Sequence, residues 1–254
     1  MDGLDEETLN SWKSEMREND SLGHQRRFIG LQDPLVSRND LLEGTALSTL
    51  TCEDVQLHLV SGNDNYSRFF FRFKGRGSTP FIVHGVTEAE DRLSADVQIS
   101  GPMGSELVAF ACDFYAKAET YLKRNSPAML QFSGWGLFVS QQRNPLELGS
   151  PDGKKITTAG SSILLPGFRT EPDEYLFQFR VERTRDIIFM DTITITAIET
   201  KLMNIHSGSI PLTLYVSESA LLEEYYPRPG DDITGALILC CNVSEQTSKS
   251  ARLP

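Results

Sequence analysis

Residues 69–76 read Phe-Phe-Phe-Arg-Phe-Lys-Gly-Arg, an interleaving of rings with cations. Aromatic faces stack on unpaired bases and cations neutralise phosphates, so this run has the chemistry of a single-strand nucleic-acid contact. In an extended strand Arg72, Lys74 and Arg76 project to one face, opposite Phe69, Phe71 and Phe73. The same spacing also describes a core strand, with the three rings inward and the cations as its wet face. Lys123 and Arg124 form a second cation pair, at the end of a helix-like segment where the helix dipole also favours positive charge. Arg180, Arg183 and Arg185 are interrupted by Glu182 and Asp186, a pattern of local ion pairs.

The remaining reactive residue types lack the spacing that chemistry needs. The histidines, His24, His58, His84 and His206, stand apart from one another and from any pair of cysteines. No metal site and no cofactor is expected. Gly75-Arg76-Gly77 and Gly134-Trp135-Gly136 are glycine doublets without the rest of a phosphate loop, and no Gly-x-Ser-x-Gly occurs. A catalytic function is not expected. Cys52, Cys112, Cys240 and Cys241 have no disulfide-like spacing and read as reduced thiols in packing roles. The Cys240–Cys241 pair, if in a strand, turns one side chain in and one out. Trp135 and Phe138 flank a glycine kink or bulge and are expected in the core.

The elements that carry these residues are mostly strands. Phe177, Phe179 and Val181 alternate with Gln178, Arg180 and Glu182; Ile193, Ile195 and Ala197 alternate with threonines; Leu212, Leu214 and Val216 alternate with Thr213 and Tyr215. Period two gives each strand one apolar and one polar face. One long amphipathic helix is expected at 105–123, from Leu107, Val108, Ala111, Phe114, Ala118 and Tyr121 at helical spacing. A short helix in the leader would use Leu9, Trp12 and Met16. The expected fold class is therefore all-β, an antiparallel β-sandwich of jelly-roll type with one inserted helix. The expected organisation is an acidic leader over 1–45, a β-sandwich domain over 46–244 and a polar tail over 245–254.

The 254 residues carry a formal charge of −11. That balance disfavours strong non-specific nucleic-acid binding by the whole surface, though not by local patches. Neither a secretory signal nor a transmembrane segment is expected.

From Ala128 to Val216 the order of features resembles the tobamovirus-type (30K) movement proteins of plant viruses. The residues that carry the likeness are the Gly-containing strand around Trp135, Phe177-Gln178-Phe179, the aspartates Asp186 and Asp191, the strand from Ile193, and Pro211-Leu212-Thr213-Leu214 after Gly208. The resemblance covers about a third of the chain and lacks the family's Leu-Val-Asp-x-Arg-like strand between 150 and 170. It implies a viral protein that binds single-stranded nucleic acid, self-associates through sheet edges and supports cell-to-cell transport through plasmodesmata, in host cytoplasm and at cell junctions. A peripheral membrane contact is left open. A jelly-roll capsid subunit of a picorna-like virus, located in the virion, is the alternative; an acidic matrix-like or interaction module is a third. On the nucleic-acid reading, the contact residues are Arg72, Lys74, Arg76, Lys123 and Arg124.

Overall fold

A computed structural model describes residues 28–29, 46–61, 67–89, 93–143, 147–149, 155–167, 171–189, 192–205 and 208–244. The chain divides into two compact units, one up to Arg72 and one from Phe73. The body expected over 46–244 is therefore described as two. The expected leader helix and the polar tail lie outside the described residues.

The first unit is a four-stranded sheet in the order β1 (Phe28–Ile29), β2 (Ala46–Cys52), β3 (Val55–Ser61), β4 (Ser67–Phe73). Cys52 opposes Val55 across the turn Glu53-Asp54, so β2 and β3 form a tight hairpin. Leu50, Val55, Leu57 and Phe70 are buried. His58 is buried with them, its ring 5.0 Å from that of Phe70 and its Nδ1 2.8 Å from the Thr49 hydroxyl.

The second unit begins with β5 (Arg76–Glu88), β6 (Ala95–Ser100) and β7 (Glu106–Ala111). Helix α1 (Phe114–Leu122) and β8 (Ser126–Gln141) follow. Short strands come next, β9 (Glu147–Gly149), β10 (Lys155–Thr157) and β11 (Ile163–Pro166). Then come β12 (Glu174–Arg180), β13 (Arg183–Phe189), β14 (Ile193–Ile205), β15 (Gly208–Ser217) and finally β16 (Asp232–Val243).

Five of these strands close on themselves. β5 pairs with β6 and β6 with β7, both antiparallel; β7 pairs with β16 in parallel; β16 pairs with β8 and β8 with β5, both antiparallel. The ring β5-β6-β7-β16-β8 is a closed barrel, with α1 between its third and fourth strands in chain order. An all-β protein was expected and is observed. The expected jelly-roll sandwich gives way to this barrel, because β8 and β16 are long enough to pair with two neighbours along one edge. Beyond the barrel, β16 carries β12 and then β11, while β8 carries β15, β14 and β13.

The helix expected over 105–123 is a strand followed by a helix of about half that length. Leu107, Val108 and Ala111 fit a helical spacing, but Leu107, Ala109 and Ala111 fit period two, and burial alternates along β7 in that second pattern. The helix proper buries Phe114, Ala118 and Tyr121. It is fastened by Asp113, whose carboxylate accepts from the Tyr121 hydroxyl (2.7 Å) and from the Val243 amide of β16 (2.9 Å). Burial first, then the charges of Cys241 and Asp113, push the Tyr121 phenol well above its ordinary range.

The barrel interior is filled by rings and branched chains, among them Phe81, Leu130, Phe132, Ile99, Leu237 and Leu239. Along the middle of β14 and β15 both faces are covered. Thr196, Thr213 and Tyr215, expected on wet faces, are buried, and Cys240 and Cys241 are both buried although they point to opposite sides. All four cysteines are free thiols.

A bulge sits where Gly134 and Gly136 suggested one. Ala236 faces Phe138 and Leu237 faces Gly136, so Leu137 is the extra residue of β8. The bulge turns Phe138 outward to 41% exposure, against its expected core position. Trp135 is half-buried and stacks on Phe73 at 5.1 Å. Gly235 lies against the bulge, where a Cβ would come 2.0 Å from the Phe138 carbonyl oxygen. No helix among the described residues is long and apolar enough to cross a membrane, which says nothing of strands.

Candidate nucleic-acid interface

The β5–β8 ladder presents an apolar face to solvent. In its register Pro80 opposes Met129 and Ile82 opposes Pro127. These four alternate with Phe81, Val83, Ala128 and Leu130, which are buried. Ile82 and Met129 are each 40% exposed, and both prolines are exposed. Proline tolerates these places because neither needs a ladder amide: β6 joins β5 only from Ile82 onward, and β16 joins β8 only from Leu130 onward.

One end of this ladder meets the end of α1. The chain leaves the helix through Lys123 and Arg124, both exposed, and turns at Asn125, which has φ 57°. Asparagine tolerates that left-handed conformation. The Asn125 amide donates to the Val83 carbonyl at 2.7 Å. Its side-chain oxygen lies 3.1 Å from His84 Nδ1, and His84 Nε2 lies 2.6 Å from the Ser100 hydroxyl. The Asn125 oxygen can only accept, so Nδ1 donates to it, while the Ser100 hydroxyl can serve Nε2 in either role. His84 thus ties β5 to β6 and to the turn that carries the two cations.

The neighbouring face, over β6 and β7, has the opposite character. Asp96, Gln98 and Ser100 project outward from β6, and Glu106, Val108 and Phe110 from β7. The segment preceding β12 packs against it. The Asp173 carbonyl accepts from the Leu239 amide at 2.9 Å, and the Tyr175 hydroxyl meets both the amide (2.8 Å) and the carbonyl (3.1 Å) of Val108. Tyr175 fills the fork where β16 exchanges one neighbour, β12, for the other, β7. Asp173 is buried there, and the charges that act on it are carboxylates. Burial and the Asp96 charge raise its carboxyl to about 6, and burial and Glu171 raise that of Asp96.

The row expected from the sequence is not carried by a single strand. Arg72 ends the first unit, where its Nη1 donates to Gln56 Oε1 at 3.3 Å. Lys74 and Gly75 lie between β4 and β5, pressed onto β8: a Cβ on Gly75 would fall 2.5 Å from the Phe132 carbonyl oxygen. The Lys74 side chain is exposed, and its carbonyl accepts from the Tyr215 hydroxyl at 2.8 Å. Arg76 opens β5 and forms an ion pair with Glu199, whose carboxylate also stands 3.9 Å from Arg183 Nε.

Phe73 is buried between Trp135 and Tyr215, its ring 4.9 Å from the latter. Phe71 is half-buried, and the side chain of Phe69 lies outside the described residues. The later cations find partners other than those adjacent in sequence: Arg180 pairs with Asp232 at 3.5 Å and Lys201 with Glu182 at 3.1 Å. Asp186 instead accepts from Tyr226 and Thr196. No cluster of metal-ligating side chains occurs among the described residues.

The structure therefore brings Lys123 and Arg124 to one end of the β5–β8 ladder and Lys74 and Arg76 to its other end. Reading the sequence missed the apolar face between them. Its signal was present: residues 80–83 and 127–130 are apolar on both parities, which one buried face alone does not require.

No family model matches this chain, and no curated protein does. Among solved structures it is similar to the cytoplasmic molybdate-binding protein ModG with molybdate bound. That match has 14% identity and a TM-score of 0.33, covering 68% of this chain and 99% of the other.

Proposed function

We propose that this is a binding protein for single-stranded nucleic acid, and that its barrel is of the oligonucleotide/oligosaccharide-binding (OB) type. The observation that supports this reading is the strand order. Five strands run 1-2-3-5-4 around the barrel and close from 4 to 1, strands 3 and 5 are parallel, and the helix joins 3 to 4. Barrels of this design take oligonucleotides on an outer face, helped by the 1–2 and 4–5 connections. Here the 4–5 connection has grown into residues 142–231, a set of strands in its own right. An acidic chain binds a polyanion only through a local surface, so affinity should fall steeply with salt.

Fluorescence anisotropy with a labelled oligodeoxythymidylate, against a duplex of equal length, tests the reading. Saturable binding of the single strand that weakens with added salt supports it. No binding at low ionic strength overturns it.

The transport role, the plasmodesmal location and self-association draw their support from the order of sequence features alone. A tagged chain expressed in leaf cells tests them: accumulation at cell junctions supports the role, and diffuse fluorescence ends it. The capsid alternative calls for a jelly roll and draws no support from the strand order.

A further inference from the structure

We infer that the single strand runs along β5 and β8, not over β6 and β7, where OB barrels ordinarily take their ligand; this rests on the nucleic-acid reading above. Two observations point the same way.

The first is charge. The β6–β7 face carries Asp96 and Glu106, and the incoming segment adds Glu171 and Asp173. A phosphate chain there would meet carboxylates at close range, with no lysine or arginine on either strand to offset them. The start of β12 also covers part of the face, through Tyr175.

The second is the β5–β8 face itself. Pro80, Ile82, Pro127 and Met129 make a contiguous apolar block, two residues on each strand, directly opposed in register. Base faces can lie on such a surface because every base has an apolar π-face. Lys123 and Arg124 stand at the end of that block, held in place by the Asn125–His84–Ser100 contacts. Apolar surface for bases, with cations beside it for phosphates, is the complement of a single strand. The charge of Arg76 is already engaged by Glu199, so Lys123 and Arg124 carry the phosphate contact.

The full chain is titrated into a fluorescein-labelled oligodeoxythymidylate of about 30 nucleotides, longer than the roughly 4–16 that one such barrel covers. Three variants accompany the parent: Ile82→Glu with Met129→Glu, Lys123→Ser with Arg124→Ser, and Gln98→Glu as the probe of the other face. All five positions are exposed, and thermal melts establish that each variant is folded. The first variant should weaken binding roughly tenfold or more. The second should flatten the logarithmic salt slope by about 1.4, roughly 0.7 for each phosphate that is no longer neutralised. Gln98→Glu should bind as the parent does.

If the parent binds and only Gln98→Glu weakens it, the ligand lies over β6–β7; the proposed path is then wrong while the functional reading stands. If the apolar variant turns a dimeric parent into a monomer and leaves binding unchanged, the block is a self-association face and the path is again wrong. If the double glutamate variant fails to fold, the salt slope of the Lys123 and Arg124 variant decides by itself. A parent that does not bind removes the functional reading and the path together.

Discussion

Asp173 shows how much one carboxyl can reveal about its surroundings. It sits in the fork of β16 with Asp96 nearby and only its own backbone to favour the charged form, and its carboxyl rises from 3.8 to about 6. A carboxyl raised on folding is fully tolerated below pH 4 and becomes a burden as pH climbs through 6. The expected outcome is that Asp173→Asn stabilises the chain at pH 7.5 by a few kcal/mol and does nothing at pH 4. Urea melts at the two pH values check it; equal effects at both would mean that the carboxyl is not strained by its charge.

Little of this was legible in the sequence. Asp173 and Asp96 lie far apart in the chain, and no local pattern marks two carboxyls that a sheet fork will bring together. Arg72, Lys74 and Arg76 were conspicuous because they are adjacent. Adjacency assumed a continuous strand, whereas the backbone leaves strand geometry at Lys74 and Gly75.

At the scale of elements, periodicity succeeded wherever one face is buried and failed where a strand is covered on both sides. Phe177, Phe179 and Val181 were placed correctly. Thr196 and Thr213 were expected in solvent and are buried: Thr196 lies on the core side with Val216 and donates to Asp186, and Thr213 shares the face of Tyr215, on which Phe73 stacks. The helix expectation over 105–123 was wrong in its first half for a related reason: residues 107–111 are continuously apolar, so 107, 108 and 111 fit a helix while 107, 109 and 111 fit a strand, and the partners β6 and β16 decide between them.

Two changes test these elements. Asp113→Ala leaves the Tyr121 hydroxyl and the Val243 amide without their acceptor and should cost about 2–4 kcal/mol, measured by chemical denaturation. A cost under about 1 kcal/mol, close to that of a surface change, would mean that α1 is held by its apolar face alone. Gly235→Ala puts a methyl group against the Phe138 carbonyl of the bulge. It should destabilise by about 3 kcal/mol, the upper end for overpacking; a neutral result would show that the bulge can slide.

On the scale of the whole molecule, two units with separate cores should respond to acid in opposite senses. In the first, burial and then Arg72 hold His58 down to about 4, against an ordinary 6.5. A histidine lowered on folding stabilises above pH 6.5, and that stability is lost as pH falls through 4. In the second, protonating Asp173 relieves strain over much of the same range. Calorimetry between pH 7 and pH 4 should therefore resolve two transitions, the His58 unit falling relative to the other. His58→Gln should abolish its share of that drift. One transition, moving as a single unit at all pH values, would show that the two cores unfold together.

β16 closes the barrel, and it is separated from β7 by more than a hundred residues and from β8 by the whole of 142–231. A delay in folding follows from that distance. Until Asp232–Val243 arrives, the edges of β7 and β8 that it will cover are open, each with a row of unpaired amides and carbonyls beside apolar side chains. Non-local pairing of this kind is slow, on the scale of milliseconds to seconds. The waiting state is the one most prone to pair with another copy. A growing chain of this design spends its vulnerable interval with an unsealed barrel and with α1 still lacking the Val243 amide that helps to fasten it.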